Sequence, residues 1–203
     1  MASSKTNIKF YSIKDEIRVL GVDDAPFSLL EDDKTYIIGT VFRGGSWIDG
    51  VMRSEVEVDG IDSTDKLIEM VNKSRFKDLR VILLDGLGFG GFNLVDIKRL
   101  HEETALGVIV VVRKMPDFKA IDEVVSGLRH EKYYRRCMLH AGKPFKVVTR
   151  ENKHIYIQYH GLSLEDARSI VKLTSTRSLI PEPIRVAHLI ASGFVLGESK
   201  GNA

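Results

Sequence analysis

The 203-residue chain is short of several things at once: it has one cysteine, one tryptophan, five prolines, 8% aromatic residues and a formal net charge of only +2. Each shortage excludes something. A lone Cys137 cannot close an internal disulfide or build a zinc site from several thiolates, so a reducing, cytoplasmic setting is expected. No apolar run approaches the ~20 residues of a membrane span, and the opening Met-Ala-Ser-Ser-Lys lacks the apolar stretch of a secretory leader. No membrane partner is therefore expected. No Gly-Lys-Ser/Thr triplet occurs, which argues against a nucleotide-hydrolysing P-loop. What is present, 43% apolar residues over this length, suffices for one domain over 1–203 with a real core.

The small net charge hides a polarised distribution. Residues 129–153 hold eight Lys/Arg against Glu131 and Glu151, and residues 15–33 hold seven acids against Arg18. An acidic pole and a basic pole suit a metal site facing a polyanion, although two solvated faces give the same count.

The most telling stretch is Val81-Ile-Leu-Leu-Asp85-Gly-Leu-Gly-Phe-Gly-Gly-Phe-Asn93. An apolar run stops on a carboxylate, and a glycine-rich loop follows. Ile17-Arg-Val-Leu-Gly-Val-Asp23-Asp24 repeats the layout. Strands are expected at 17–22, 35–42 and 47–58, the third alternating Val51, Glu55 and Glu57 against Met52, Val56 and Val58; the three form an antiparallel meander. A helix over about 63–73 follows, then a buried strand at 80–84, a helix over about 94–104 capped by Asn93 or Asp96, and an apolar strand at 106–112. Helices are read at 118–128 and 131–140, and a hairpin joins 145–149 to 154–159. Ser163 caps a further helix, and Pro181-Glu-Pro183 starts a last one that stops at Gly193. The tail from Gly197 is expected to be disordered.

Three antiparallel strands followed by parallel strand–helix units give an α/β fold with a ribonuclease H-like mixed sheet. In that order the first strand lies beside the fourth, so Asp23 and Asp85 end adjacent parallel strands at the edge where open α/β sheets bind ligands. Two carboxylates there repel unless a cation bridges them. Oxygen ligands favour Mg²⁺ or Mn²⁺, and a pair of such ions activates water and stabilises the leaving oxygen of a phosphodiester.

Four segments resemble the endonuclease V superfamily and, more closely, its archaeal endonuclease dU branch: Gly21-Val-Asp23 with Asp24-Ala-Pro-Phe27; Leu83-Leu-Asp85-Gly-Leu-Gly88; Gly107-Val-Ile-Val-Val-Val-Arg113-Lys114; and His160-Gly-Leu-Ser-Leu-Glu-Asp-Ala167 followed by Leu179-Ile-Pro-Glu-Pro-Ile-Arg185. The resemblance covers about residues 17–190. It implies a metal-dependent endonuclease of DNA repair acting beside deoxyuridine or deoxyinosine, with DNA, and conceivably RNA, as partner. It implies metal binding by Asp23, Asp85 and a third acid opening the intervening helix, for which Asp62 is chosen over Asp59; Asp62 is equally a helix cap. Asp24 stands as an outer acid or a turn residue. His160 matches the family's late histidine, and Lys114 or Arg113 holds the phosphate.

The aromatic, proline-rich wedge of the related endonucleases is missing from Arg53–Gly60. Phe89 and Phe92 either stack on an extruded base or pack in the core. Gly86 and Gly88 allow close approach of a base or phosphate, and Arg135 and Arg136 of the basic pole grip the backbone. His101, His188, Trp47 and Cys137 are read as structural or surface residues. Two other classes stay open: a non-catalytic nucleic-acid binder, and a dinucleotide-binding oxidoreductase using Gly86-x-Gly88-x-x-Gly91 as a loop that opens a helix, with Arg113 meeting a 2′-phosphate. Neither the base, the strand nor the oligomeric state is specified by the sequence.

Overall fold

The computed structural model describes residues 7–150 and 152–201. Three strands come first: β1 (Arg18–Asp24), β2 (Lys34–Arg43) and β3 (Trp47–Glu57), paired antiparallel in succession. Helix α1 (Ser63–Lys73) leads to β4 (Val81–Asp85), which pairs with β1 in parallel. A small hairpin, β5 (Gly88–Phe89) and β6 (Asn93–Leu94), precedes α2 (Ile97–Thr104), and β7 (Gly107–Val112) then joins β4 in parallel. Helices α3 (Phe118–Val125) and α4 (Glu131–Ala141) lead to the hairpin of β8 (Phe145–Val148) and β9 (His154–His160), whose second strand runs antiparallel to β7. Helices α5 (Leu164–Thr174) and α6 (Glu182–Leu196) close the chain. The resulting seven-stranded mixed sheet has the order β3-β2-β1-β4-β7-β9-β8, the ribonuclease H-like arrangement expected from the strand pattern.

Both faces of the central strands are covered, which is why β4 and β7 read as unbroken apolar runs. Leu20, Val22, Ile82, Leu84, Val108 and Val110 pack under α1 and α2, while Val19, Val81, Leu83, Ile109 and Val111 pack under α5 and α6. The edge strand β3 alternates as its sequence requires, with Val51, Glu55 and Glu57 exposed and Val56 buried. No helix among the described residues is long and apolar enough to cross a membrane.

Several boundaries differ from the sequence expectation, each for a local reason. Helix α2 starts three residues late, at Ile97, because Asp96 is its cap: its side chain accepts from Arg99 N. Asn93 serves α1 instead, its Oδ1 accepting from Ser63 N at 2.9 Å while its Nδ2 donates to Glu57 O at 2.8 Å. Helix α3 ends at Val125 rather than 128, where Ser126 Oγ turns back onto Asp122 O. Helix α6 runs past Gly193 and is closed by Gly197 in the left-handed conformation, φ 81°; a single interior glycine weakens a helix by only ~1 kcal/mol, which packing overrides. The expected disordered tail reduces to irregular chain at 198–201, and 202 and 203 lie outside the described residues, as do 1–6 with the leader reading.

Asn93 ties β3, α1 and the β5–β6 hairpin together, so Asn93→Ala strands the buried N–H of Ser63. The substitution should cost roughly 1–3 kcal/mol, read as a lower urea midpoint with an unchanged slope; an unaltered midpoint contradicts the junction.

Candidate active site

Parallel pairing of β1 with β4 sets Val22 beside Leu84, so the next residues, Asp23 and Asp85, end neighbouring strands side by side. Alternation places both on the face covered by α6. That helix lies directly on the sheet because position 21 is glycine: a Cβ there would stand 2.3 Å from the Pro183 backbone. Thr40 Oγ1 donates to Pro183 O at 2.6 Å and fixes the same approach. One turn on, α6 delivers His188, whose Nδ1 lies 2.8 Å from Asp23 Oδ2.

Around this pair is a cavity of about 540 Å³, lined by Asp23, Asp24, Asp85, Gly86, Arg113 and His188 among others. Asp24 N donates to Asp23 Oδ1 at 2.9 Å, Asp24 Oδ2 accepts from Gly90 N at 2.7 Å, and the Arg113 guanidinium lies 3.5 Å from Asp85 Oδ2. Burial pushes the Asp23 carboxyl up to about 7, against the His188 hydrogen bond; the nearby Asp85 and Asp24 carboxylates push it further the same way. Burial also raises Asp85, opposed by Arg113 and His188, and raises Asp24, opposed by the Gly90 N–H. His188 is raised in turn by its bond to Asp23. A buried and a half-buried carboxylate side by side against a cavity, partly offset by His188 and Arg113, are a donor set that a hard divalent cation satisfies. Among the described residues no group of three His, Cys, Asp or Glu side chains is set to hold an ion. Mg²⁺ is ordinarily held by one or two carboxylates with substrate phosphate and water completing its shell, so the residues present fit it.

The remaining sequence candidates divide sharply. Arg113, not Lys114, faces the acids: Lys114 lies beyond the end of β7, exposed. His160 is a correction. It pairs with Val108 near the start of β7, whereas Asp85 lies beside Val111, so it sits about 10 Å further along the strand direction, toward the opposite sheet edge, and two strands across. There its ring stands 5.6 Å from that of His101. His188, read as incidental, occupies the place assigned to His160.

Asp62 does not line the acid cavity. It occupies the α1 cap position without capping, and its Oδ1 accepts from Asn93 Nδ2 at 2.6 Å and from Glu57 N at 3.2 Å. Asp59 holds the glycine hairpin, accepting from Phe92 N at 2.8 Å from a left-handed backbone (φ 52°). Phe89 is fully buried in the core and cannot stack on a base. Trp47 is exposed, while Cys137 and His101 are buried.

The glycine stretch forms the β5–β6 hairpin rather than opening a helix, since α2 begins only at Ile97. A dinucleotide fingerprint needs its glycines to run into a helix N-terminus, so that reading is overturned. Gly86 bends the chain at φ 89°, and Gly88 sits where a Cβ would meet Leu94 at 2.9 Å. Beside the hairpin, on the other face of the sheet edge, is an apolar cavity of about 280 Å³. Leu87, Phe92, Val112, Pro116 and Met138 line it, and Val112 is shared with the acid cavity. On α4, Arg135 is half-exposed and paired with Glu131 and Asp122; Arg136 lies 3.5 Å from Asp96 and over the Tyr133 ring.

Because the Asp23 carboxyl titrates near 7 in the fold against 3.8 as a free group, the folded state binds more protons between those values. Metal-free stability should therefore fall as pH rises from about 4 to 7, and His188, also raised, loses its contribution in the same direction. With chelator present, Asp23→Asn should melt above the parent protein at pH 8, by a few kcal/mol at most given about 1.4 kcal/mol per pKa unit, and the gap should close by pH 4. Equal destabilisation at both pH values contradicts the burial of an uncompensated charge.

Comparison with known proteins gives a consistent family. The sequence pattern of the endonuclease dU family matches residues 15–195. The UPF0215 protein of Methanothermobacter thermautotrophicus is 52% identical over 205 residues, covering 98% of each chain. Among solved structures, a protein of unknown function from Archaeoglobus fulgidus has a TM-score of 0.78 at 38% identity, covering 88% of this chain and 98% of that one. Endonuclease V of Ciona intestinalis, in complex with a 24mer DNA containing an inosine followed by a ribo-adenosine, has a TM-score of 0.53 at 20% identity, over 84% and 82% of the two chains. This last likeness is one of fold.

Proposed function

The chain belongs to the endonuclease dU family, and we propose that it hydrolyses a phosphodiester beside a deaminated base in DNA, with Asp23 and Asp85 holding Mg²⁺ or Mn²⁺. The observation that carries the reading is the side-by-side burial of these two carboxylates at the end of parallel strands, in a cavity open to a ligand. A divalent cation there supplies charge that lowers the pKa of an attacking water and offsets the developing charge on the leaving oxygen.

The chain's own groups account for the rest. Arg113 neutralises Asp85 in the free protein; once that carboxylate is otherwise satisfied, its guanidinium is free to hold the scissile phosphate in a bidentate manner. His188 fixes the orientation of Asp23 through its 2.8 Å contact and is placed to take or give a proton at the cavity wall. Gly86, with no side chain and a positive φ, leaves the backbone beside Asp85 open to close approach. The apolar cavity across Val112 takes the extruded base, with half-buried Phe92 as its stacking surface. Arg135 exchanges its surface carboxylates, Glu131 and Asp122, for backbone phosphates at little cost, since exposed pairs contribute ~0–1 kcal/mol; Arg136 turns from buried Asp96, which keeps its contact with His140. The setting proposed is cytoplasmic DNA repair.

End-labelled oligonucleotides carrying one deoxyuridine, one deoxyinosine or no lesion test the reading directly, with Mg²⁺, Mn²⁺ or chelator. Metal-dependent nicking near one lesion is expected. It should be abolished by Asp85→Asn, lowered on the order of 10²–10³-fold by Arg113→Ala, and left near parental by His160→Ala. Failure to cut any of these, or their RNA counterparts, leaves a binding protein and refutes the nuclease. In the same system, Arg135→Ala with Arg136→Ala should lower the slope of log affinity against log salt by about 1–2; an unchanged slope removes these residues from the interface.

A further inference from the structure

Among the described residues lining the apolar cavity, Gln158 carries the one polar side chain. It lies on β9, one strand in from the sheet edge, opposite Val110, and is 4% exposed. A buried amide in an apolar wall is costly unless its groups are bonded. Half of this one is: Nε2 donates to Gly142 O at 2.7 Å. That bond fixes the amide's direction, because a carbonyl only accepts and Oε1 cannot take the place of Nε2. Gly142 is itself held, closing α4 at φ 69° with its N–H on Met138 O. Oε1 has no protein donor among the described residues, and it is not one of the fully enclosed unpartnered atoms, which are Ser63 Oγ and His101 Nε2; it is open to the cavity. The cavity thus presents one oriented acceptor without a protein donor, and its 280 Å³ lies at the small end of the roughly 300–1,000 Å³ typical of ligand pockets, a size for a single base.

We propose that Gln158 Oε1 reads the ring N–H that deamination creates. Uracil carries N3–H where cytosine has a lone pair, and hypoxanthine carries N1–H where adenine has one. A fixed acceptor bonds the first of each pair and opposes the second lone pair to lone pair. The proposal rests on the reading of the chain as a nuclease for deaminated bases, and it adds how such a base is told from its parent. Thymine and guanine share the N–H, so Gln158 separates each deaminated base from its own precursor and leaves those two to other contacts.

The test compares single-stranded oligonucleotides, which removes pairing energy, carrying either deoxyuridine or N3-methyldeoxyuridine. The parent protein should prefer deoxyuridine by about 100-fold in kcat/KM, the effect of leaving one buried acceptor without its donor. Gln158→Met keeps the length of the side chain and removes the acceptor; it should slow deoxyuridine cleavage about 10- to 100-fold and bring the ratio close to 1. If the methyl group is refused for its bulk alone, Gln158→Met keeps the preference and the proposal fails. Equal cleavage of both strands by the parent protein overturns the role of Gln158 while leaving the nuclease intact. No cleavage of the deoxyuridine strand overturns the nuclease and this role with it.

Discussion

The register between β1 and β4 is the constraint on which the rest depends. Both strands are buried on both faces, so a slip of one residue would turn every core side chain to the wrong layer. The register that buries Val22 and Leu84 also forces Asp23 and Asp85 together at the strand ends. The core therefore holds in place an electrostatically unfavourable pair that would separate if it were free. Arg113 and His188 offset part of that repulsion from the two sides, and the Asp23 carboxyl is raised chiefly by its burial, with the neighbouring carboxylates adding to it. The proposed cation would relieve the strain that this pair places on the fold.

Two cavities lie on the two sides of the sheet edge. On the α6 face are the acids, His188 and Arg113; on the α4 face is the apolar cavity with Gln158, and Val112 is common to both. The glycine hairpin bridges the two, anchored by Asp24 on Gly90 N and Asp59 on Phe92 N. In the proposed reading, the acids on one flank hold the phosphate of a nucleotide and the cavity on the other holds its base. The same backbone hydrogen bonds explain why Asp24 and Asp59, each an apparent ligand by type, serve to hold the hairpin.

Much of this was legible in the sequence, and the misses have physical causes. Period-two and unbroken apolar runs identified the strands, their order and the acid pair, because burial on one or two faces writes directly into the pattern. Asp62 misled because a carboxylate before a helix looks the same whether it binds metal, caps or, as here, bonds a neighbouring asparagine. His160 misled because a motif does not say at which end of an antiparallel strand its residue falls. His188 did leave a signal: it lies four residues after Ile184 and three before Ala191, within the stripe of α6 that packs on the sheet. The hairpin was also signalled, by Gly90-Gly91, both at positive φ, between Phe89 and Phe92. Gln158 gave no signal, because its meaning depends on Gly142 and on a cavity assembled from distant segments.

Calorimetric titration of the metal-free protein with Mn²⁺ near pH 6.5, in buffers of different ionisation heat, tests the central claim most directly. The account predicts saturable binding accompanied by proton release, as the cation displaces the proton held by the Asp23–His188 pair, and loss of both in the Asp23→Asn, Asp85→Asn double variant. Binding that survives in the double variant, or no binding in the parent protein, would contradict it.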